Sequence, residues 1–349
     1  MKTLFTGSAL ALLSSIAVPA FAQDETEITV QSPLIHPAAG LMNEHMHDGG
    51  EFMLGLRFET THAGGANQAG TDEISDPEIL AAGFGARTRS MTMDMVMLDL
   101  MYAPTDNLTL MVMPHYMWHR MDMLGIDPAG VSHGSHSIAY GQSMEHSTDG
   151  FGDTLVSASY RVLRQPGLGA HATLGVWVPT GAVDFKDADG NFVHYAMQPG
   201  SGTWDIEPSF TVTGRTGAIG WGGQASYRWR TEEHNASGFA FGDKARATGW
   251  VSYLLGSSVG ATGRLEYVHE GMVLGHYNAG HNHLAPPDRQ QNYGGDVVAA
   301  GFGLNWLLPV ESARRPQLSG EISVPLYQDL NGIQAPQDWR LTMALSQAF

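Results

Sequence analysis

The chain has 349 residues, no cysteine, 43 glycines and a formal net charge of −17. That charge excludes a nucleic-acid partner, whose phosphates it would repel. The lack of cysteine excludes disulfide stapling and leaves core burial or closed backbone hydrogen bonding to hold the fold.

Taken from its start, the chain opens with Lys2, an apolar run and Ala20-Phe21-Ala22, a small-x-small cleavage site. Residues 1–22 read as a secretory signal peptide, with the mature chain expected to start near Gln23. No later stretch reaches eighteen consecutive apolar residues, so no transmembrane helix is expected. Residues 23–50 are acidic and then crowd His36, Met42, His45, Met46 and His47 into a segment without period. This segment reads as an irregular, Met/His-rich periplasmic lead-in; a solvated tail is its plain alternative, and in a barrel residues 23–50 or the loops could partly block the lumen.

Helical periodicity is almost absent after residue 50, whereas period-two alternation recurs along residues 51–349. Phe52, Leu54, Leu56 and Phe58 share one face of a strand whose other face holds Arg57 and Glu59. Strands follow on both sides of Pro104-Thr105-Asp106-Asn107, then over 151–163, 170–178, 204–212, 219–230, 245–255, 259–269, 298–306, 317–327 and 337–349, with 328–336 as a loop. That makes twelve strands of about ten residues joined by alternating long and short connections, the pattern of an antiparallel transmembrane β-barrel with short periplasmic turns and long extracellular loops. A secreted sandwich would have no reason to gather every long loop at one end. Closure removes the need for helices, because in lipid every backbone polar group must pair within the protein. Outer-membrane lipid is therefore one expected partner. Tyr102, Tyr116, Trp118, Trp221 and Trp229 fall near strand ends, as aromatic girdles require.

Residues 91–123 hold ten of the eighteen methionines. Before the turn, Val96, Leu98, Leu100 and Tyr102 share one parity, and Met93, Met95, Met97, Asp99 and Met101 the other. After it, Leu108, Leu110, Val112, Tyr116 and Trp118 oppose Met111, Met113, His115, Met117 and His119. A charge at the lipid midplane costs about 2–4 kcal/mol, so Asp99, His115 and His119 assign the Met/His face to the lumen. A five-residue connection, 103–107, would set Met97 opposite Met113, Met95 opposite His115 and Met93 opposite Met117. Pro114 removes a ladder donor and calls for a bulge or local break.

Several phrases in the second half carry a family resemblance: Gly150-Phe151-Gly152-Asp153-Thr154, Val176-Trp177-Val178-Pro179-Thr180-Gly181, Gly200-Ser201-Gly202-Thr203-Trp204-Asp205, and Val324-Pro325-Leu326-Tyr327-Gln328-Asp329-Leu330-Asn331-Gly332-Ile333-Gln334. Together they resemble the outer-membrane transporter family associated with the meta-cleavage pathway of phenol degradation, over most of 150–349. The resemblance implies a barrel in the bacterial outer membrane that passes small, often hydrophobic, molecules. The terminal Phe349, with Trp339, Leu341, Met343 and Leu345 at alternate positions, resembles the signal read by the barrel-assembly machinery.

Two functions stay open at this point. Thioethers are soft ligands that select Cu(I), and imidazole suits several transition metals. Met93, Met95, Met97, Met113, His115, Met117 and His119 are thus candidate ligands for a copper ion moving through a channel. Methionine is equally a flexible apolar lining, which suits passage of hydrophobic or aromatic compounds without metal. A non-transporting barrel is the third reading. Asp205 and Glu207 against Arg228 and Arg230 form a candidate charge belt in the lumen. His133, His136, Met144 and His146 in one outer loop, and His276, His281 and His283 in another, are further candidates at the mouth. No His-Glu-x-x-His and no spacing of nucleophile and base points to an enzyme. Asp187-Ala188-Asp189-Gly190-Asn191 lacks the later Glu of a calcium loop and reads as a turn.

Overall fold

A computed structural model describes residues 32–34, 38–133, 136–310 and 314–349. The expected signal peptide, the acidic stretch after it and His36 lie outside these residues, as do the side chains of His133 and His136. Twelve antiparallel strands form the wall: β1 (Phe52–Gly64), β2 (Ala86–Thr105), β3 (Leu108–Met113 and His115–Gly125), β4 (Ser143–Phe151 and Thr154–Gln165), β5 (Leu168–Val178), β6 (Asp205–Thr216), β7 (Ile219–Arg230), β8 (Lys244–Leu254), β9 (Val259–Glu270), β10 (Gly295–Leu307), β11 (Gln317–Gln334) and β12 (Gln337–Ala348). Each pairs with its neighbours in the chain. The sheet closes because β1 pairs both β2, with Leu56 opposite Leu98, and β12, with Leu56 opposite Leu345.

The alternation seen in the sequence is the alternation of the wall. Phe52, Leu54, Leu56 and Phe58 face outward, while Met53, Gly55 and Arg57 are buried inside. Tyr102, Trp118, Trp221 and Trp229 are exposed on the outer face. The charged side chains Arg57, Asp99, Arg264, Glu266 and Glu321 are all buried within the barrel, as the cost of charge against lipid requires. At the periplasmic end, Pro166-Gly167 turns between β4 and β5. Proline fixes φ there, and Gly167 takes φ +71°, a value open to glycine without strain.

Three expectations about the wall are corrected. The Met hairpin turns on Asp106-Asn107 alone, with Thr105 opposite Leu108 and a bulge between Tyr102 and Thr105. The bulge preserves the inward parity of both strands, but the register moves by two residues. Met97 meets His115, Met95 meets Met117 and Met93 meets His119. Residues 328–336 are not a loop: β11 continues to Gln334 and pairs with a small hairpin, Gln68–Gly70 and Asp72–Glu73, of the first outer loop. Several strands also run beyond their apolar alternation: β4 begins at Ser143, β6 ends at Thr216 and β10 begins at Gly295. Outside the membrane neither face meets lipid, so the pairing continues without the pattern that reveals it.

Pro114 splits β3, and opposite it Gly152 and Asp153 interrupt β4. Met113 pairs with Leu155 but Tyr116 with Phe151, so β4 holds one extra residue and its parity flips. This is a β-bulge, which bends the strand and re-aims side chains.

Candidate functional site

The lumen carries two belts of charge. In the first, Asp205, fully buried, accepts hydrogen bonds from Arg228 Nε at 2.8 Å and Nη2 at 2.5 Å, and from Arg230 Nη1. Glu207 instead accepts from Trp177 Nε1 at 2.6 Å, and the Arg228 guanidinium lies 4.0 Å from the centre of the Trp177 ring. Both arginines singled out in the sequence thus meet Asp205, while Glu207 turns to Trp177. The second belt spans more strands. Arg264 binds Glu321 (2.5 Å) and approaches Glu266 (3.2 Å), and Arg340 and Arg246 reach Glu266 at 2.5 and 3.2 Å. Arg57 faces Asp99 at 3.3 Å. Single-strand patterns place Arg57 and Arg264 inward, but they do not reveal partners on other strands, such as Asp99 for Arg57 and Glu321 for Arg264.

The N-terminal segment runs inside the barrel, not beside it. Ala38, Ala39, Leu41, Glu44 and His47 are buried. The wall binds its backbone: Arg57 donates to the carbonyls of Ala39 and Leu41, Gln224 to that of Met42 (2.9 Å), His171 to that of Asn43 (2.7 Å) and Arg161 to that of His47 (3.2 Å). Asn43 turns the segment at φ +54°, a left-handed value that Asn tolerates. Between this segment and the first charge belt lies a cavity of about 130 Å³ bordered by Met42, Leu155, Trp177, Glu207, Gln224 and Arg228.

One wall of the lumen is built of thioethers and imidazoles. Met97, Met113, Met117, His115 and His119 are buried, and Met93 and Met95 half-buried, all on the inner face of β2 and β3. Met97 and Met113 join Met53, Met101, Met111, Leu155 and Trp177 in one apolar cluster, with Met42 of the N-terminal segment packed on it. His115 sits edge-on to Trp177, ring centres 6.3 Å apart. Among the described residues no three His, Asp or Glu side chains form a group able to hold a metal ion.

The outer loops fold together over the mouth. Tyr195, Tyr277 and Phe192 stack at 4.4 and 4.2 Å, with Phe239 edge-on, and so tie the loops 179–204, 231–243 and 271–294. Burial pushes the Tyr195 hydroxyl up to about 12. The bulge in β4 anchors this cap: Asp153 accepts from Gly181 N (3.2 Å), Ser201 N (2.8 Å) and Ser201 Oγ (2.6 Å). Three of the phrases singled out in the sequence thus meet at one carboxylate. The run 187–191 is a turn, with Asp187 Oδ1 accepting from the backbone of Asp189 and Asn191, each at 2.9 Å.

A closed twelve-strand barrel with an apolar outer belt, charged lumen and loops gathered at one mouth defines a channel-type barrel of the bacterial outer membrane. Residues 120–335 match the model of the family described as "Putative MetA-pathway of phenol degradation", and the chain belongs to that family. Among solved structures, an outer membrane channel from Pseudomonas putida F1 is similar over 88% of this chain and 98% of its own, with 16% identity and a TM-score of 0.57. A FadL homologue from Pseudomonas aeruginosa matches 92% of this chain and 98% of its own at 9% identity and a TM-score of 0.43. A mutant of the monoaromatic hydrocarbon channel TodX matches 87% and 90% at 10% identity and a TM-score of 0.38. The first of these carries the fold alone. A comparison with curated protein sequences finds no match.

Proposed function

We propose that this barrel passes small, weakly polar organic solutes, aromatic compounds first among them, across the outer membrane without catalysing a reaction. The observation that carries this reading is membership in a family tied to phenol degradation. The lumen supports it. A wall of methionines offers an adaptable, polarizable surface with favourable sulfur–aromatic contacts, and Trp177 borders the central cavity. The N-terminal segment occupies part of the lumen, and the outer loops pack together over the mouth.

The test is uptake. Cells lacking their own aromatic channels and carrying this chain are given a dilute monoaromatic compound, or a sugar of similar size. The compound should enter several-fold faster than in cells with an empty vector, and the sugar should not. Equal acceleration of both would make the barrel a general pore; no acceleration of either would remove the transport reading.

A further inference from the structure

The cap leaves a second, smaller cavity of about 50 Å³ at the mouth, bordered by Met123, Met144, His146, His194 and Asp288 among others. His194, from the loop 179–204, is 7% exposed. Its Nδ1 lies 2.6 Å from Oδ1 of Asp288, from the loop 271–294, itself 1% exposed. The Asp288 carboxylate is placed to accept a proton held on Nδ1. Nε2 is buried and without a hydrogen-bond partner among the described residues. One nitrogen held by a carboxylate and the other open is how a metal-ligating histidine is oriented.

The neighbours of that nitrogen select the metal. Met123 on β3 and Met144 on β4 are direct cross-strand partners, which sets their Cβ atoms about 5 Å apart on one face. His146 stands on the same face, two residues along β4, with its ring 5.5 Å from that of His194. Asp288 is engaged on Nδ1, so thioethers and imidazoles dominate the donor set. Such a set is soft: it suits Cu(I) and its heavier congener Ag(I), and is poor for Ca(II) or Mg(II). Below the cavity the same chemistry continues. His146 is opposite Met121, and the Met/His pairs of β2 and β3 descend from there along the lumen.

We propose that the mouth cavity binds a soft monovalent cation, Cu(I) in the first place, through His194 Nε2 and the thioethers of Met123 and Met144, with His146 beside them. The Met/His wall beneath supplies weaker sites of the same kind. This site is separate from the passage of organic solutes and stands without it.

The experiment is an anaerobic titration of the full-length chain in detergent with Cu(I), against a coloured Cu(I) chelator as competitor. The wild type should withdraw one tight equivalent and further weak ones. Met123→Leu with Met144→Leu, which keeps side-chain volume, should lose the tight equivalent, as should His194→Phe. Asp288→Asn should weaken it by about 10- to 100-fold, the usual loss when a ligand's supporting partner is removed. Met93→Leu with Met95→Leu and Met97→Leu should lose weak equivalents only. A wild type without a tight equivalent overturns the proposal. So does a tight equivalent that survives the double leucine variant, or one that Zn(II) displaces. Should His194→Phe fail to fold, the leucine pair decides alone.

Discussion

Asp205 shows how much one lumen side chain carries. Its carboxylate is fully buried and faces two guanidinium groups, Arg228 and Arg230. Its Oδ1 also accepts from Thr203 Oγ1 at 2.7 Å, at the foot of the loop 179–204. Removing one partner of a buried pair leaves an uncompensated charge and costs about 3–5 kcal/mol. Asp205→Asn keeps the shape and removes the charge, leaving two arginines side by side. The expected outcome is a barrel destabilised by about that amount, read as a lower urea midpoint for unfolding from lipid vesicles. Glu207→Gln keeps an oxygen for Trp177 Nε1 and should shift the midpoint far less. Equal shifts would mean that the belt acts as diffuse charge and not through Asp205.

At the scale of the element, the N-terminal segment is fastened where it leaves the lumen. Glu51 accepts from Arg314 and lies 3.2 Å from His47 Nδ1. Burial would raise its pKa, but the bonds from Arg314 and His47 outweigh this and lower it from 4.5 to about 2. The folded value lies below the unfolded one, so the fastening contributes fully above pH 4.5 and is lost as pH falls toward about 2. Amide exchange of residues 45–51 should therefore speed up as pH falls through that window, after correction for intrinsic rates, while the wall strands stay protected. Glu51→Gln should exchange fast at neutral pH and lose this acid dependence. A wild-type profile flat across the window would show that other contacts hold the segment. The same element marks what a sequence reveals. Period two disclosed every wall strand and the inward parity of the Met face, because lipid on one side and lumen on the other impose it. A segment bound through its backbone carbonyls imposes no period, so residues 38–50 read as a lead-in. The His194–Asp288 contact joins two loops 94 positions apart, and no local pattern announces it. The hairpin register failed for a smaller reason: turn length follows from a bulge that composition does not display.

The whole molecule is defined by closure, and the closing seam runs on to Phe349. Phe349 N donates to Phe52 O at 2.7 Å, Phe52 N donates back at 3.3 Å, and the two rings lie 6.3 Å apart. These bonds extend the β1–β12 seam by one pair, beyond a register that already runs from Met53–Ala348 to Ala63–Gln337. Each net hydrogen bond stabilises by about 1 kcal/mol, so removing Phe349 should cost the finished barrel little. The resemblance of Phe349 to a terminal aromatic read by barrel-assembly machinery is tested during export instead. Deleting Phe349 should lower the amount of barrel reaching the outer membrane several-fold. The same variant, refolded from urea into detergent, should reach the wild-type fold and unfold within about 2 kcal/mol of it. If refolding fails as badly as export, Phe349 is a structural member of the seam. If neither changes, the assembly signal lies elsewhere on β12.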